Sequence, residues 1–483
     1  AMFAEFRAAL HATSLVGLVL AGSMIVPGIV NFASGDHSWV VFFNCAALTG
    51  LIWLLIAVST ANGHVKFSRR FGLILVNMLW WLLTLATVPP LMFGPANLSF
   101  ADALFETASG FTTTGSTVIT GLDTLDPGTL IWRSLIQWFG GLGILSVGLL
   151  LLPFLKVGGL QLFRLESSDK FDIPMPRFIE FSKSVVSVYA FLSASCAIGF
   201  LLTGMGPFDA VNHAMTALST GGYSTHDASF GFFPNTSTIW VGSIFMAAGG
   251  LPFTLFVMLL FTRKKLYIDP QVYGFFIIIA AASFIILLGR QGAGAHTARG
   301  VAEDVFNVIS VITTTGYVAG DYEHWSPLAA PLFFLLTFFG GCAGSTAGGL
   351  KIYRLIVLVE MVRAALREMV YPNGVFVVRY GHRTVDNGIF RSALVFTIAF
   401  AGILGLCTLI LGAQGNDFVA SLTGSLTALT NVGPGLGSII GPAGNFAALP
   451  DSSKYTLAAA MIAGRLEIMV VLALFMPMLW RQS

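Results

Sequence analysis

The chain has 483 residues, of which 55% are hydrophobic and only 10% charged, with a formal net charge of +2. Soluble domains carry about 25% charged residues, so this composition excludes a soluble protein and specifies one embedded in a bilayer. The net charge itself selects no partner, and nucleic acid is not expected as one.

Apolar runs long enough to cross about 30 Å of hydrocarbon recur along the chain. The first two, 6–32 and 39–61, form a hairpin around Gly35-Asp36-His37. The first run follows Arg7 without a small-residue cleavage site and leads straight into the second, so it reads as a retained helix. A threonine run closed by glycine then follows a short helical segment: Thr112-Thr113-Thr114-Gly115. It has three echoes: Leu218-Ser219-Thr220-Gly221, Thr313-Thr314-Thr315-Gly316 and Thr430-Asn431-Val432-Gly433.

Each copy is preceded by an acidic residue (Asp102, Asp209, Asp304, Asp417). Each is followed by an apolar segment with small residues at mid-length: Gly140-Gly141, Gly249-Gly250, Gly340-Gly341 and Gly464-Arg465. A unit recurring about every hundred residues is an internal repeat. The expected organisation is an N-terminal hairpin (1–65) followed by repeats at 66–165, 166–265, 266–385 and 386–483. Expected spans flank each motif: 71–93 and 129–155, 178–204 and 238–262, 270–289 and 328–350, 388–411 and 455–480. The fold class is thus an all-α polytopic membrane protein. Four helix–pore-loop–helix units stand pseudo-fourfold around one pore, giving ten spanning and four half-crossing helices.

Basic residues set the orientation. Arg7, Arg481 and the linkers between repeats hold 20 of the 25: Lys66, Arg69, Arg70, Lys156, Arg164, Lys170, Arg177, Lys183, Arg263, Lys264, Lys265, Lys351, Arg354, Arg363, Arg367, Arg379, Arg383 and Arg391 complete the set. The segments flanking the threonine runs hold only Arg133, Arg290, Arg299 and Lys454. Both termini and the linkers are therefore expected in the cytoplasm, with all four half-crossing loops dipping in from outside. The basic, apolar stretch 351–369 has helical spacing and suits either an interfacial anchor or a docking site for a cytosolic partner.

Non-helical backbone at membrane depth survives only when protein buries it or when it lines a watery cavity. Four half-helices meeting on an axis meet that condition. Their carbonyls can replace the hydration shell of a cation, threonine hydroxyls add oxygen ligands, and the negative helix ends favour positive charge. A ring of hard oxygens without carboxylates suits a monovalent ion better than Ca²⁺ or Mg²⁺.

These repeats resemble the Trk/Ktr/HKT superfamily of potassium transporters over about residues 70–480, and the extra hairpin suits its bacterial pore-forming subunits. The resemblance implies K⁺ bound at the sixteen residues of the four motifs, with Gly115, Gly221, Gly316 and Gly433 as filter glycines. Glycine rather than serine at the first of these implies K⁺ rather than Na⁺. It further implies a multi-pass protein of the bacterial inner membrane, a homodimer with one pore per protomer, and a cytosolic nucleotide-binding regulatory ring. No cofactor is implied beyond K⁺ as the transported ion. The fourth motif, with Asn431, Val432 and Pro434, departs most from the threonine pattern.

Two features suggest a gate. The run Gly340-Gly341-Cys342-Ala343-Gly344-Ser345-Thr346-Ala347-Gly348-Gly349 breaks the second span of the third repeat, since each glycine costs a helix about 1 kcal/mol. Close packing through small residues is the alternative; the resemblance implies an intramembrane loop that obstructs the pore. Arg465 lies near the middle of the last span, where a charge must find water or a partner. It reads as a structural ion pair or, by resemblance, as an electrostatic barrier under the filter.

Other polar residues give weaker signals. Glu106 and His213 suit hydrogen-bonded packing or an ion-facing role; Trp80, Trp81, Trp132 and Trp480 suit interfacial belts. Cys45, Cys196, Cys342 and Cys407 lie one per apolar segment, as buried small residues do. No phosphate-cradling loop, HExxH motif or nucleophile–base pair is present, so no enzyme is expected. The expected function is channel-like K⁺ uptake. A K⁺/H⁺ or K⁺/Na⁺ symporter and a poorly selective K⁺/Na⁺ pore stay open as alternatives.

Overall fold

The computed structural model describes residues 2–61, 68–148, 175–261, 268–292, 294–385 and 387–481. The linker positions Lys66, Lys156, Arg164, Lys170, Arg263, Lys264 and Lys265 lie outside them. Among the described residues the regular elements are helices, apart from one two-residue antiparallel pair, β1 (Arg379–Tyr380) and β2 (Arg383–Thr384), and an isolated bridge between Phe339 and Leu350.

Helices α1 (Met2–Ser23), α2 (Ile25–Ser34) and α3 (Trp39–Thr60) form the N-terminal hairpin. The chain turns between α2 and α3 at Gly35, whose φ of 78° is open to glycine at little cost. Asn31 fastens the hairpin to the first repeat: its side chain donates to Asp126 (2.8 Å) and accepts from the amide of Gly128 (2.6 Å).

The stretch expected as the first repeat runs through α4 (Arg69–Ala86), α5 (Pro89–Phe93), the short α6 (Phe100–Phe111) and α7 (Pro127–Ser146). The second comprises α8 (Met175–Leu202), short α9 (Pro207–Leu218), α10 (Thr236–Gly250) and α11 (Phe253–Phe261). In the third, α12 (Pro270–Gly289) and short α13 (Ala298–Ile312) precede α14 (Ala329–Phe338) and α15 (Ile352–Val370). The fourth has α16 (Asn387–Ala413), short α17 (Phe418–Thr430), α18 (Gly437–Ile440), α19 (Asp451–Arg465), α20 (Ile468–Leu472) and α21 (Pro477–Arg481).

Local chemistry sets the starts of the short helices. Ser99, Thr297 and Asp417 accept backbone N–H bonds at N-caps, while Pro207 sits at the first position of α9.

Among the described residues, six helices are long and apolar enough to cross a membrane, and two bent pairs raise the number to eight. Helices α10 and α11 meet at 95° around Pro252; α19 and the segment after it meet at 106°, where Glu467 takes a φ of 61°. The two other expected spans differ from plain apolar helices. Helix α7 buries Arg133 and Gln137, and α14 stops after 10 residues where the glycine run begins.

The largest apolar core joins the second and third repeats around Phe230, Phe275, Phe306 and Tyr317. Another packs the fourth repeat against α6 through Phe105, Leu426, Leu457 and Met461. Trp80 and Trp132 correct the expectation of an interfacial belt: both are buried in cores between the hairpin and the first repeat, because α1–α3 cover that face. Trp480 is partly exposed.

Candidate functional site

The four short helices end in one backbone pattern. After the last helical turn a single non-glycine residue takes positive φ: Thr113 (55°), Thr220 (53°), Thr314 (57°) and Asn431 (59°). Two residues later a glycine does the same: Gly115 (90°), Gly222 (81°), Gly316 (83°) and Gly433 (115°). Such values are rare in L-residues, and four occurrences at equivalent positions mark one structural motif used four times.

Hydrogen bonds give the same register. The amides of Thr114, Gly221, Thr315 and Val432 donate to the carbonyls of Ser109 (2.8 Å), Thr216 (2.9 Å), Ser310 (2.9 Å) and Thr427 (3.1 Å). The second copy is therefore shifted by one residue from the alignment read in the sequence. Ser219-Thr220-Gly221-Gly222 matches Thr112-Thr113-Thr114-Gly115; Leu218 is the last residue of α9, and Gly222 stands where Gly115 does.

The four segments form a closed ring. A Cβ added to Gly115 would strike the carbonyl oxygen of Gly221, and one on Gly222 that of Thr315. One on Gly316 would strike the carbonyl of Val432, and one on Gly433 would lie 2.8 Å from that of Thr114. First copy meets second, second meets third, third meets fourth, and fourth meets first. Side chains lace the closing seam: Ser116 Oγ donates to the carbonyl of Gly433 (2.7 Å) and Asn431 Nδ2 to Thr114 Oγ1 (2.9 Å). All four positive-φ glycines line one cavity of about 340 Å³. The threonines, Asn431 and Val432 behind them are buried. Each short helix aims its C-terminal end, worth about half a negative charge, at this ring.

The supporting residues include several that the sequence did not single out. Gln137 donates to the carbonyl of Gly221 (2.9 Å) and accepts from the amide of Tyr223 (3.0 Å). Glu106 and Arg133 form a buried ion pair at 2.9 Å, in which Glu106 also accepts from Thr117 and the amide of Val118. Arg133 stacks on Tyr223 at 4.0 Å and donates to the carbonyl of Ser224. His213 is buried and bonded to the carbonyl of Asp209 and the hydroxyl of Ser224, both at 2.8 Å. Glu106 and His213 are thus held within the protein by hydrogen bonds.

The acidic residues near the short helices anchor them by different partners. Asp102 pairs with Lys454 (2.6 Å), Asp304 with Arg290 (2.8 Å) and Asp209 with His226 (3.2 Å); Asp417 caps α17. His226 also reaches Asp123 at 2.5 Å, across the first and second repeats. This contact holds the Asp123 carboxyl below its ordinary pKa.

Beneath the ring lies the segment from Gly340 to Gly349, irregular throughout. Thr346 Oγ1 donates toward the carbonyls of Leu218 and Gly249, each 3.0 Å away, and the amide of Gly348 donates to Thr314 Oγ1 at 2.7 Å. A Cβ on Gly348 would meet the carbonyl of Thr430 at 2.5 Å. The amides of Cys342 and Thr346 donate to the carbonyls of Gly250 and Gly249 at the helix break, and Ser345 Oγ donates to the carbonyl of Cys342 to close a turn. The segment therefore touches the second, third and fourth copies at once.

Arg465 meets it from the other side: its Nη2 donates to the carbonyl of Thr346 at 2.7 Å, while Nε and Nη1 have no protein partner among the described residues. Arg465, Lys351, Arg354 and Glu467 line a cavity of about 60 Å³ under the segment. Glu467 pairs with Arg354 at 2.5 Å, not with Arg465.

The small residues in the second spans have a steric role. A Cβ at Gly140, Gly249 or Gly464 would collide with the carbonyl of Phe111, Leu218 or Leu429, the last residues of three short helices or their immediate neighbours. In sequence order Arg465 follows Gly464 as Gly141 follows Gly140 and Gly250 follows Gly249. The fourth repeat alone puts a long cationic side chain there.

A model of the TrkH family, described as cation transport protein, matches residues 40–291 and 294–482. This chain belongs to the TrkH family of cation transport proteins. It is 40% identical to the Trk system potassium uptake protein TrkI of Halomonas elongata over 475 residues, spanning 98% of this chain and 96% of that one. It is 33% identical to the Trk system potassium uptake protein TrkH of Escherichia coli K12 over 492 residues, covering 99% and 100%. The crystal structure of the potassium transporter TrkH from Vibrio parahaemolyticus superposes with a TM-score of 0.90 at 29% identity, covering 99% of this chain and 100% of that one. This TrkH-family chain is a multi-pass membrane transport protein, not an enzyme.

Proposed function

We propose that the chain takes up K⁺ through the ring of four backbone segments. The closed ring around one cavity carries this reading, and the potassium uptake proteins similar over the full length support it. A dehydrated K⁺ sits among oxygens of Thr112–Gly115, Ser219–Gly222, Thr313–Gly316 and Thr430–Gly433, four short-helix ends supplying negative potential. Gly222 replaces Gly221 as the second filter glycine, while Gly221 keeps the place of Thr114.

The Gly340–Gly349 segment and Arg465 form the gate. The segment blocks the route by lying across three copies; the guanidinium raises the energy of a cation beneath it and ties the segment in place. The basic linkers and both termini face the cytoplasm of the bacterial cell across the inner membrane. An inside-negative potential then drives inward movement by about 2.3 kcal/mol per monovalent ion at 100 mV. By resemblance the working unit is a homodimer under a cytosolic nucleotide-binding ring that releases the gate.

Purified protein in liposomes tests this. K⁺ uptake driven by an imposed inside-negative potential is the expected result, lost in Gly222→Val. Absence of uptake from protein whose gate segment is shortened would overturn the proposal.

A further inference from the structure

A third cavity, of about 560 Å³, lies between the N-terminal hairpin and the first repeat. Its walls come from α1 (Leu15, Val16, Val19), α4 (Trp80) and α7 (Gly143), and Phe111 also lines it. The volume falls within the roughly 300–1,000 Å³ of small-molecule sites.

The lining is almost wholly apolar, so water gains no hydrogen bonds there; apolar cavities of this kind stay dry and take apolar guests. Two walls belong to spans, 3–34 and 69–93, and Leu15, Val16 and Val19 are half-exposed on the outer face of α1. The cavity is thus continuous with the surface that meets hydrocarbon in the bilayer. The acyl chain is favoured because the apolar lining opens directly onto the half-exposed outer face of a membrane span, where lipid tails are the neighbouring molecules.

We propose that this cavity binds one acyl chain of a membrane phospholipid, inserted between α1 and α7 against Trp80. Trp80 packs on Phe111 with ring centroids 4.8 Å apart, and Phe111 directly precedes Thr112. The chain therefore completes the packing behind the first of the four ring segments. The site is independent of which ion the ring carries.

Brominated phospholipid, a short-range quencher of indole fluorescence, is the probe. The full-length protein is reconstituted in phosphatidylcholine with plain or mid-chain brominated acyl groups, and the Trp80 contribution is taken as the difference from Trp80→Phe. Bromination is expected to remove at least half of that contribution. A Cβ at Gly143 would lie 3.8 Å from Trp80 Cζ2, in ordinary van der Waals contact and without a clash, so a side chain there can extend into the cavity lined by both residues. Gly143→Phe fills the void and is expected to reduce the quenching at least threefold, with Ser146→Phe as the substitute should the first fail to fold. Equal Trp80 emission in both lipids, or quenching that persists in a folded filled variant, overturns the proposal. A disulfide between two copies carrying Val16→Cys, formed in proportion to loss of quenching, also overturns it by making a second protein chain the occupant.

Discussion

Arg465 donates from Nη2 to the main-chain oxygen of Thr346 at 2.7 Å, and Thr346 in turn donates to the carbonyl of Leu218 at the end of the second short helix. Two links thus join the last repeat, the glycine segment and the ring. Removing the arginine takes away both the positive charge and the tether. Arg465→Ala is expected to raise K⁺ flux in proteoliposomes several-fold without the regulator. Flux equal to or below that of wild type, from protein eluting as a folded species, would remove Arg465 as a barrier.

Shortening the segment probes the obstruction itself. Deleting residues within Gly344–Gly349 removes the contacts of Thr346 and Gly348 with three ring copies. Flux should rise at least as much as in Arg465→Ala, and combining the two changes should add little. A flux insensitive to the deletion would reduce the segment to packing.

The Glu106–Arg133 pair is expected to hold the ring together. Both side chains are almost wholly buried, and removing one partner of such a pair costs about 3–5 kcal/mol because the other charge is left unmatched. Glu106→Ala should therefore lower the thermal midpoint in detergent markedly, and Glu106→Gln by less. An unchanged midpoint in both variants would contradict the assignment.

The link between the first and second repeats outside the ring should be acid-labile. Hydrogen bonding to His226 lowers the pKa of Asp123 in the folded protein. A depressed carboxyl contributes stability above its unfolded value, about 3.9, and loses it as pH falls through the folded value. The loop around Asp123 should become protease-sensitive below about pH 4. In Asp123→Asn that sensitivity should already be present at pH 7 and change little on acidification. Because Asp123 is exposed, the effect should stay local and leave the global midpoint nearly unmoved.

Eight of the ten expected spans coincide with membrane-length helices or bent helix pairs among the described residues, because apolar run length acts locally; the short helices were marked by the acidic residues Asp102, Asp209, Asp304 and Asp417 near their starts. The glycine run was legible because five glycines in ten residues oppose any helix. The second-copy register was not: Gly221 and Gly222 are adjacent and identical, and only backbone geometry reveals which takes positive φ. Gln137, the Glu106–Arg133 pair and the Arg354–Glu467 pair were hidden because their partners meet only in the folded molecule. Trp80 and Trp132 misled because an indole suits both a membrane interface and a buried seam, and the hairpin decides which.

Four equivalent backbone segments are proposed to select K⁺. Reversal potential under opposed K⁺ and Na⁺ gradients in purified proteoliposomes, with the gate segment shortened, tests this most directly. The potential should lie close to the K⁺ equilibrium value and shift toward that of Na⁺ in both Gly115→Ser and Gly222→Ser. A reversal potential midway between the two ions in the parent, or one left unmoved by both substitutions, would contradict the account.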